Sequence, residues 1–123
     1  MRIIRNKYIP FSGYKCINLF GIFFVKNKAK IDDVTINHES IHSRQFVELM
    51  ALSAVVLIII QWWLIFFAPF AFYVWYAIEW LVRLPKGNAY RSISFEREAY
   101  TNENDMEYLS NRKHFAFMKY LWS

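Results

Sequence analysis

The stretch of sequence that decides the fold is Asn37-His38-Glu39-Ser40-Ile41-His42-Ser43-Arg44-Gln45. It contains His-Glu-x-x-His, and histidines four positions apart lie on one face of an α-helix, one turn above the other. The pattern therefore predicts a helix on which His38 and His42 each offer a ring nitrogen to one zinc ion. Glu39 lies about 100° further round the helix axis. From there its carboxylate can act as general base for a water at the metal.

The motif helix is predicted to begin near Asp33. Asp32 and Asp33 suit a helix N-terminus, because side-chain oxygens accept from free backbone N–H groups there and negative charge is favoured. No proline or glycine follows before Leu49, and the helix then runs directly into apolar sequence. The motif fixes only three residues, so two histidines on a polar helix face without a metal are the alternative interpretation.

The composition indicates contact with lipid. The chain has 123 residues, which predicts a single domain over residues 1–123. Hydrophobic residues make up 56% and aromatic residues 20%, more than the core of a small soluble domain needs. The formal net charge of +5 is interpreted as an orientation signal and as attraction to anionic lipid, because no basic stripe suited to nucleic acid is present. The single cysteine, Cys16, excludes an intrachain disulfide.

An apolar run over residues 51–82 is the second feature on which the fold depends. One helical span needs about 20 residues and two need about 40. The run lies between these lengths and fits either one long tilted span or a tight hairpin that turns at Ala68-Pro69.

The segments on either side of this run predict smaller elements. Residues 17–25 are too few to cross a bilayer as a helix, and their β-branched and aromatic content predicts a strand, with residues 2–8 as a candidate partner. A Pro/Gly loop after the run precedes a predicted helix over residues 89–100. Three regions follow: N-terminal strands in 1–31, the motif helix and membrane hairpin in 32–84, and the third-ligand helix with an aromatic, basic tail in 85–123.

A catalytic zinc ion normally takes three protein ligands and one water, so a third ligand is needed beside the two histidines. Glu96 and Glu98 lie on the predicted helix after the apolar run, and His114 lies in the tail. The residues alone leave these three candidates open.

His-Glu-x-x-His followed by a distant Glu-x-x-Ala resembles the gluzincin metallopeptidases, above all the integral-membrane branch with the heat-shock and prenyl-protein peptidases. The resemblance implies zinc-dependent peptide hydrolysis, with Glu39 as the general base, Glu96 as the third ligand and Glu98 as the fallback. Ala99 is then the small residue that lets the helices approach. In that branch an Asp follows and orients a zinc-binding histidine, and Tyr100 occupies its position here. The motif order is also similar to that of short, uncharacterised Bacteroidetes-type membrane proteins.

A shared zinc ion selects between the two arrangements of the apolar run. His38, His42 and Glu96 must all lie within about 2 Å of the ion, whereas a single crossing would separate them by a hydrocarbon core of about 30 Å. The run is therefore predicted to be a hairpin, with the motif helix reaching about residue 67 and the return arm about residue 84. Lys and Arg flank the run on both sides. This predicts cytoplasmic termini and a cytoplasmic active site in an integral membrane protein, with the bacterial inner membrane as the expected location.

These features predict a mainly α membrane protein. A long His-Glu-x-x-His helix continues into a transmembrane helical hairpin, with a small N-terminal β-hairpin before it and C-terminal helices after it. The expected function is a zinc metallopeptidase with zinc as cofactor, a peptide or protein substrate, a lipid bilayer around it and no nucleic-acid partner. The alternatives are a non-enzymatic, zinc-stabilised membrane scaffold or partner-binding protein, and a membrane protein whose motif binds no metal. An open fourth coordination position distinguishes the peptidase from the scaffold.

Overall fold

A computed structural model of the chain describes residues 2–6, 16–27, 30–83 and 89–121. The described part is mainly helical, as expected, with a small sheet near the N-terminus. Its strands are β1 (Arg2–Asn6), β2 (Cys16–Leu19) and β3 (Ile22–Lys26). Its α-helices are α1 (Asp33–Ile60), α2 (Ala71–Arg83), α3 (Ala89–Ser92), α4 (Ser94–Asn102) and α5 (Tyr108–Asn111). Its 3₁₀-helices are Trp62–Phe70 and Ala116–Tyr120.

The sheet has the strand order β1-β3-β2, with β1 parallel and β2 antiparallel to β3. The prediction of one strand over residues 17–25 is wrong, because Leu19 pairs with Ile22 in a hairpin. Phe20 and Gly21 form its turn with φ angles of 52° and 79°, the left-handed conformation that two-residue hairpin turns require. Because Phe20 is apolar, the sequence around it resembles a continuous strand and does not indicate the turn. The predicted partner strand is β1, while residues 7 and 8 lie outside the described residues.

The sheet is attached to the helices by side-chain hydrogen bonds. Asn18 on β2 donates to the backbone oxygen of Glu39 at 2.9 Å and to Ser43 Oγ at 3.1 Å. The backbone N–H of Phe20 donates to the hydroxyl of Tyr73 on α2 at 2.7 Å. These bonds hold β2 and the hairpin turn beside the motif helix, where β2 forms one wall of the site described below.

Helix α1 begins at Asp33, as predicted, and the side chain of Asp32 caps it by accepting from the Thr35 backbone N–H at 2.8 Å. The helix has 28 residues. Its buried residues all lie in the N-terminal part and are Asn37, His38, Ile41, His42, Gln45, Phe46, Glu48 and Leu49. The apolar C-terminal part of the same helix is largely exposed.

The turn of the apolar hairpin lies at Gln61, so the prediction of a turn at Ala68-Pro69 is wrong. The Gln61 backbone is extended, with φ −158° and ψ 121°, and α1 ends at Ile60 rather than near residue 67. Pro69 lies inside the 3₁₀-helix directly before α2.

The apolar residues of the hairpin face outwards. Ile59, Trp62 and Phe66 are 78%, 71% and 73% exposed. By length and composition alone, Asp33–Ile60 and Trp62–Arg83 are long and apolar enough to cross a membrane.

An aromatic core joins the two arms of the hairpin to the C-terminal elements. The Phe72 ring of α2 stacks on the Phe95 ring of α4, with 4.5 Å between ring centroids. Phe95 also contacts Phe117, with a centroid distance of 4.8 Å, and Phe46 of α1 belongs to the same cluster. This core places α4 against α1 and α2.

A buried ion-pair group, called here the Arg112 cluster, consists of Arg112, Glu48 and Glu98. Their side chains are 1%, 8% and 0% exposed. Arg112 donates to both oxygens of Glu48 at 2.9 Å and to both oxygens of Glu98. Burial alone would lower the pKa of the guanidinium, but its hydrogen bonds to the two carboxylates raise that pKa above the usual range. The cluster ties the C-terminal segment to α1 and α4.

Arg112→Met is expected to lower the free energy of unfolding by about 3–5 kcal/mol, because it leaves two buried carboxylates without their cation. The measurement is chemical unfolding of the purified protein in detergent, followed by circular dichroism. Lys113→Met is the control, since Lys113 is exposed. Equal losses in the two variants would contradict the role given to Arg112.

Candidate metal centre

The three side chains predicted to bind zinc lie together. His38 and His42 come from α1 and Glu96 from α4, and all three are buried. Glu96 Oε1 is 3.0 Å from His42 Nε2 and 3.4 Å from His38 Nε2. One ligand atom from each residue lies within 4.8 Å of the other two.

The cluster could hold a metal ion, and two of its distances match those of a zinc site. Zinc bonds of about 2.0–2.1 Å in a tetrahedral arrangement place neighbouring ligand atoms about 3.3 Å apart. The two distances from Glu96 Oε1, 3.0 and 3.4 Å, lie on either side of that value. Two imidazoles and one carboxylate are also a donor set of catalytic zinc sites that keep a fourth position open.

The position of Glu96 depends on Glu79, the acid within the apolar return arm. Glu79 Oε1 accepts from the backbone N–H of Ser94 at 3.0 Å, and Ser94 Oγ donates to Glu79 Oε2. Since Ser94 is the first residue of α4, Glu79 holds the start of the helix that carries Glu96. Arg83 Nε also lies 3.5 Å from Glu79 Oε1, as their spacing of four residues on one helix allows.

Glu96 is held as a carboxylate by its surroundings. Burial alone would raise its pKa, but hydrogen bonds from His38 and His42 outweigh burial and keep the pKa well below the usual range. The Tyr76 hydroxyl donates to Glu96 Oε2 at 2.8 Å. This bond leaves Oε1 as the oxygen that faces the two histidines.

The expected orienting role of Tyr100 is filled by another residue. Glu103 Oε2 lies 2.7 Å from His38 Nδ1, whereas the Tyr100 ring packs edge-on against the His38 ring with 4.5 Å between centroids. Glu103 is the C-cap of α4 and follows Glu96 by seven residues, which is two helical turns. An acid at this spacing from Glu96 is visible in the sequence, so Glu103 could have been predicted from it. The second histidine has a different partner, because His42 Nδ1 lies 2.8 Å from Gln45 Oε1.

The other candidate ligands do not reach the cluster. Glu98 lies in the Arg112 cluster and also accepts from the Tyr108 hydroxyl at 2.9 Å. The side chain of His114 is 91% exposed, and its Nδ1 lies 3.3 Å from Glu48 Oε2. Among the described residues, Glu96 is therefore the one third ligand that the fold brings to His38 and His42.

Glu39 lies at a cavity beside the cluster. The cavity has a volume of about 390 Å³ and is lined by Glu39, His42, Glu96, residues 16–18 of β2 and five aromatic side chains, Phe46, Phe72, Tyr73, Tyr76 and Tyr90. Within the described part of the chain, the Glu39 carboxylate makes no hydrogen bond or ion pair, and only its backbone oxygen is bonded. A free carboxylate next to a candidate metal and an open cavity has the arrangement that a general base needs.

Comparisons of the chain with protein-family models, with curated proteins and with solved structures give no match. The resemblance to gluzincins therefore stays a prediction from the two sequence motifs.

If the cluster binds zinc, Glu103→Ala is expected to weaken that binding about 10- to 100-fold, because it removes the hydrogen-bond partner of His38, a candidate ligand. Tyr100→Phe keeps the ring against His38 and is expected to leave zinc affinity unchanged. Competition with a chromophoric zinc chelator measures both. The reverse order of effects would restore the orienting role to Tyr100.

Proposed function

We propose that this chain is a membrane-embedded zinc metallopeptidase of the gluzincin type. The observation that carries the proposal is the meeting of His38, His42 and Glu96 in a geometry that fits zinc. Glu39 and the cavity beside the cluster support a hydrolytic rather than a purely structural metal. A scaffold zinc would need a fourth protein ligand, and the cluster found among the described residues holds three.

His38, His42 and Glu96 would hold the zinc ion, which when bound would supply Lewis acidity for a carbonyl and for water near neutral pH. Glu39 takes the proton of the attacking water and passes it to the leaving amine. Tyr76 holds Glu96 Oε2, so that the other oxygen stays directed at the histidines. The carboxylate of Glu103 and the amide of Gln45 hold the two imidazole rings through hydrogen bonds with His38 Nδ1 and His42 Nδ1.

The cavity and the sheet support a peptide as the substrate. The aromatic wall of the cavity suits an apolar side chain next to the scissile bond. In the described sheet, β2 lies at the edge, and three of its residues, Cys16, Ile17 and Asn18, line the cavity. An extended peptide can add to such an edge through main-chain hydrogen bonds.

The apolar hairpin is proposed to insert into a bilayer. Its outward-facing apolar side chains on α1, on the 3₁₀-helix and on α2 support this location. From Val47 to Ile60 the exposed apolar part of α1 is about 20 Å long at 1.5 Å per residue, shorter than a hydrocarbon core of about 30 Å. The hairpin therefore thins the bilayer or turns within it, and the metal centre lies near the water–lipid interface.

Glu39→Gln is expected to keep one zinc ion per chain and to lower the cleavage rate by about 10²- to 10⁴-fold, because it removes the base but no ligand. His42→Ala and Glu96→Ala are expected to lose zinc as well as cleavage. Metal analysis and cleavage of a peptide library, read by mass spectrometry, give the two readouts. Unchanged cleavage in Glu39→Gln would reject the mechanism, and a zinc-free wild type would reject the function.

Both flanks of the hairpin are expected to lie on the cytoplasmic side of a bacterial inner membrane, because the ligands come from both flanks and both flanks are basic. Reporter fusions at residue 1 and at residue 123 should behave alike, with high activity for a cytoplasmic reporter and low activity for a periplasmic one. Opposite behaviour of the two fusions would mean an odd number of crossings and would contradict a shared metal site.

A further inference from the structure

Gln45 is a fully buried amide that connects the metal centre to the Arg112 cluster. It is 0% exposed. Its Oε1 lies 2.8 Å from His42 Nδ1, and its Nε2 lies 3.1 Å from the backbone oxygen of Phe95 and 3.0 Å from Glu98 Oε1. A single side chain thus contacts a candidate zinc ligand at one end and a buried carboxylate at the other.

The chemistry of these neighbours settles which end of the Gln45 amide carries the hydrogens. The Phe95 carbonyl can only accept a hydrogen bond. Glu98 accepts as well, because Arg112 donates to both of its oxygens and Tyr108 donates to Oε2. The amide end that faces these two acceptors must therefore be the NH₂ group, and the end that faces His42 must be the oxygen.

The direction of this amide determines the tautomer of His42. Since an amide oxygen cannot donate, the hydrogen bond to Gln45 requires a proton on His42 Nδ1. Because Nδ1 keeps this proton, Nε2 is the nitrogen left to bind a metal, and in the metal-free chain it donates to Glu96 Oε1 at 3.0 Å. Nε2 is the atom that must be unprotonated for metal binding.

We propose that Gln45 and Glu98 are positioning residues that set the metal-binding tautomer of His42. Glu98 acts through Gln45, and Arg112 keeps Glu98 in place. The inference rests on the proposed function, because it concerns the same metal. It assigns Glu98 a role in zinc binding although this residue lies outside the ligand cluster.

The Arg112 cluster offers a matched control. Glu48 and Glu98 are both buried carboxylates paired with Arg112, but Glu98 contacts Gln45 while Glu48 contacts the backbone N–H of Phe115. Glu98→Gln and Glu48→Gln each remove one negative charge from Arg112. Only Glu98→Gln offers Gln45 a donor in place of a pure acceptor and frees its amide to turn.

The experiment measures zinc affinity of the full chain in detergent by competition with a chelator. Glu98→Gln is expected to weaken zinc binding about 10- to 100-fold, and Glu48→Gln is expected to leave it unchanged. Thermal unfolding of the zinc-free variants checks that both are folded. Equal weakening in the two variants would overturn the inference, because the effect would then come from the loss of an ion pair with Arg112.

A second variant keeps the test decisive if Glu98→Gln does not fold. Gln45→Met removes the acceptor from His42 at similar volume and leaves Glu98 with Arg112 and Tyr108, so it is expected to weaken zinc binding to the same degree. If Glu98 acts through Gln45, the double variant Gln45→Met/Glu98→Gln binds zinc no more weakly than Gln45→Met alone. Additive losses, or zinc affinity unchanged in Gln45→Met, would overturn the inference. A wild type that binds no zinc would instead reject the proposed function.

Discussion

Three buried carboxylates determine where α4 lies, and the candidate metal centre depends on all of them. Glu79 accepts a hydrogen bond from the first N–H group of α4. Glu96 contacts the two histidines of α1, and Glu98 forms an ion pair with Arg112. Glu96 and Glu98 are two positions apart and therefore point to opposite sides of their helix. Because a buried carboxylate without partners is costly, the helix has a position in which all three are satisfied at once. That position brings Glu96 to α1 although 54 residues separate it from His42.

The parts of this arrangement that could be predicted from the sequence are governed by helical spacing or by chain connectivity. His38 and His42 share a face because they are four residues apart, and Asp32 caps α1 because its side chain suits an N-terminus. The hairpin followed from the requirement that ligands on both sides of an apolar run reach one ion. The role of zinc itself stays a prediction, since geometry shows which side chains meet and not what they bind.

The parts that sequence reasoning missed depend on contacts between distant segments. Gln61 is the one polar residue in this part of the apolar run and ends α1, but by residue type it is a weaker break signal than Pro69. Phe20 adopts the left-handed conformation of a hairpin turn, and its N–H donates to Tyr73, although its side chain suits a strand. The family resemblance indicated Tyr100, which lies in the motif, as the partner of His38. The residue that contacts His38 Nδ1 is Glu103, two helical turns after Glu96. The contacts of Phe20 and Glu103 are tertiary hydrogen bonds, which local propensity does not predict.

The placement of Arg112 has a consequence for the order in which the protein matures during synthesis. The histidines and Glu96 leave the ribosome before Arg112 does, yet Glu48 and Glu98 lack their cation until that residue arrives. Until Arg112 emerges from the ribosome, α1 and α4 therefore lack the ion pairs by which this residue connects them. In a nascent chain, the metal site we propose would be fully supported only after Arg112 has emerged.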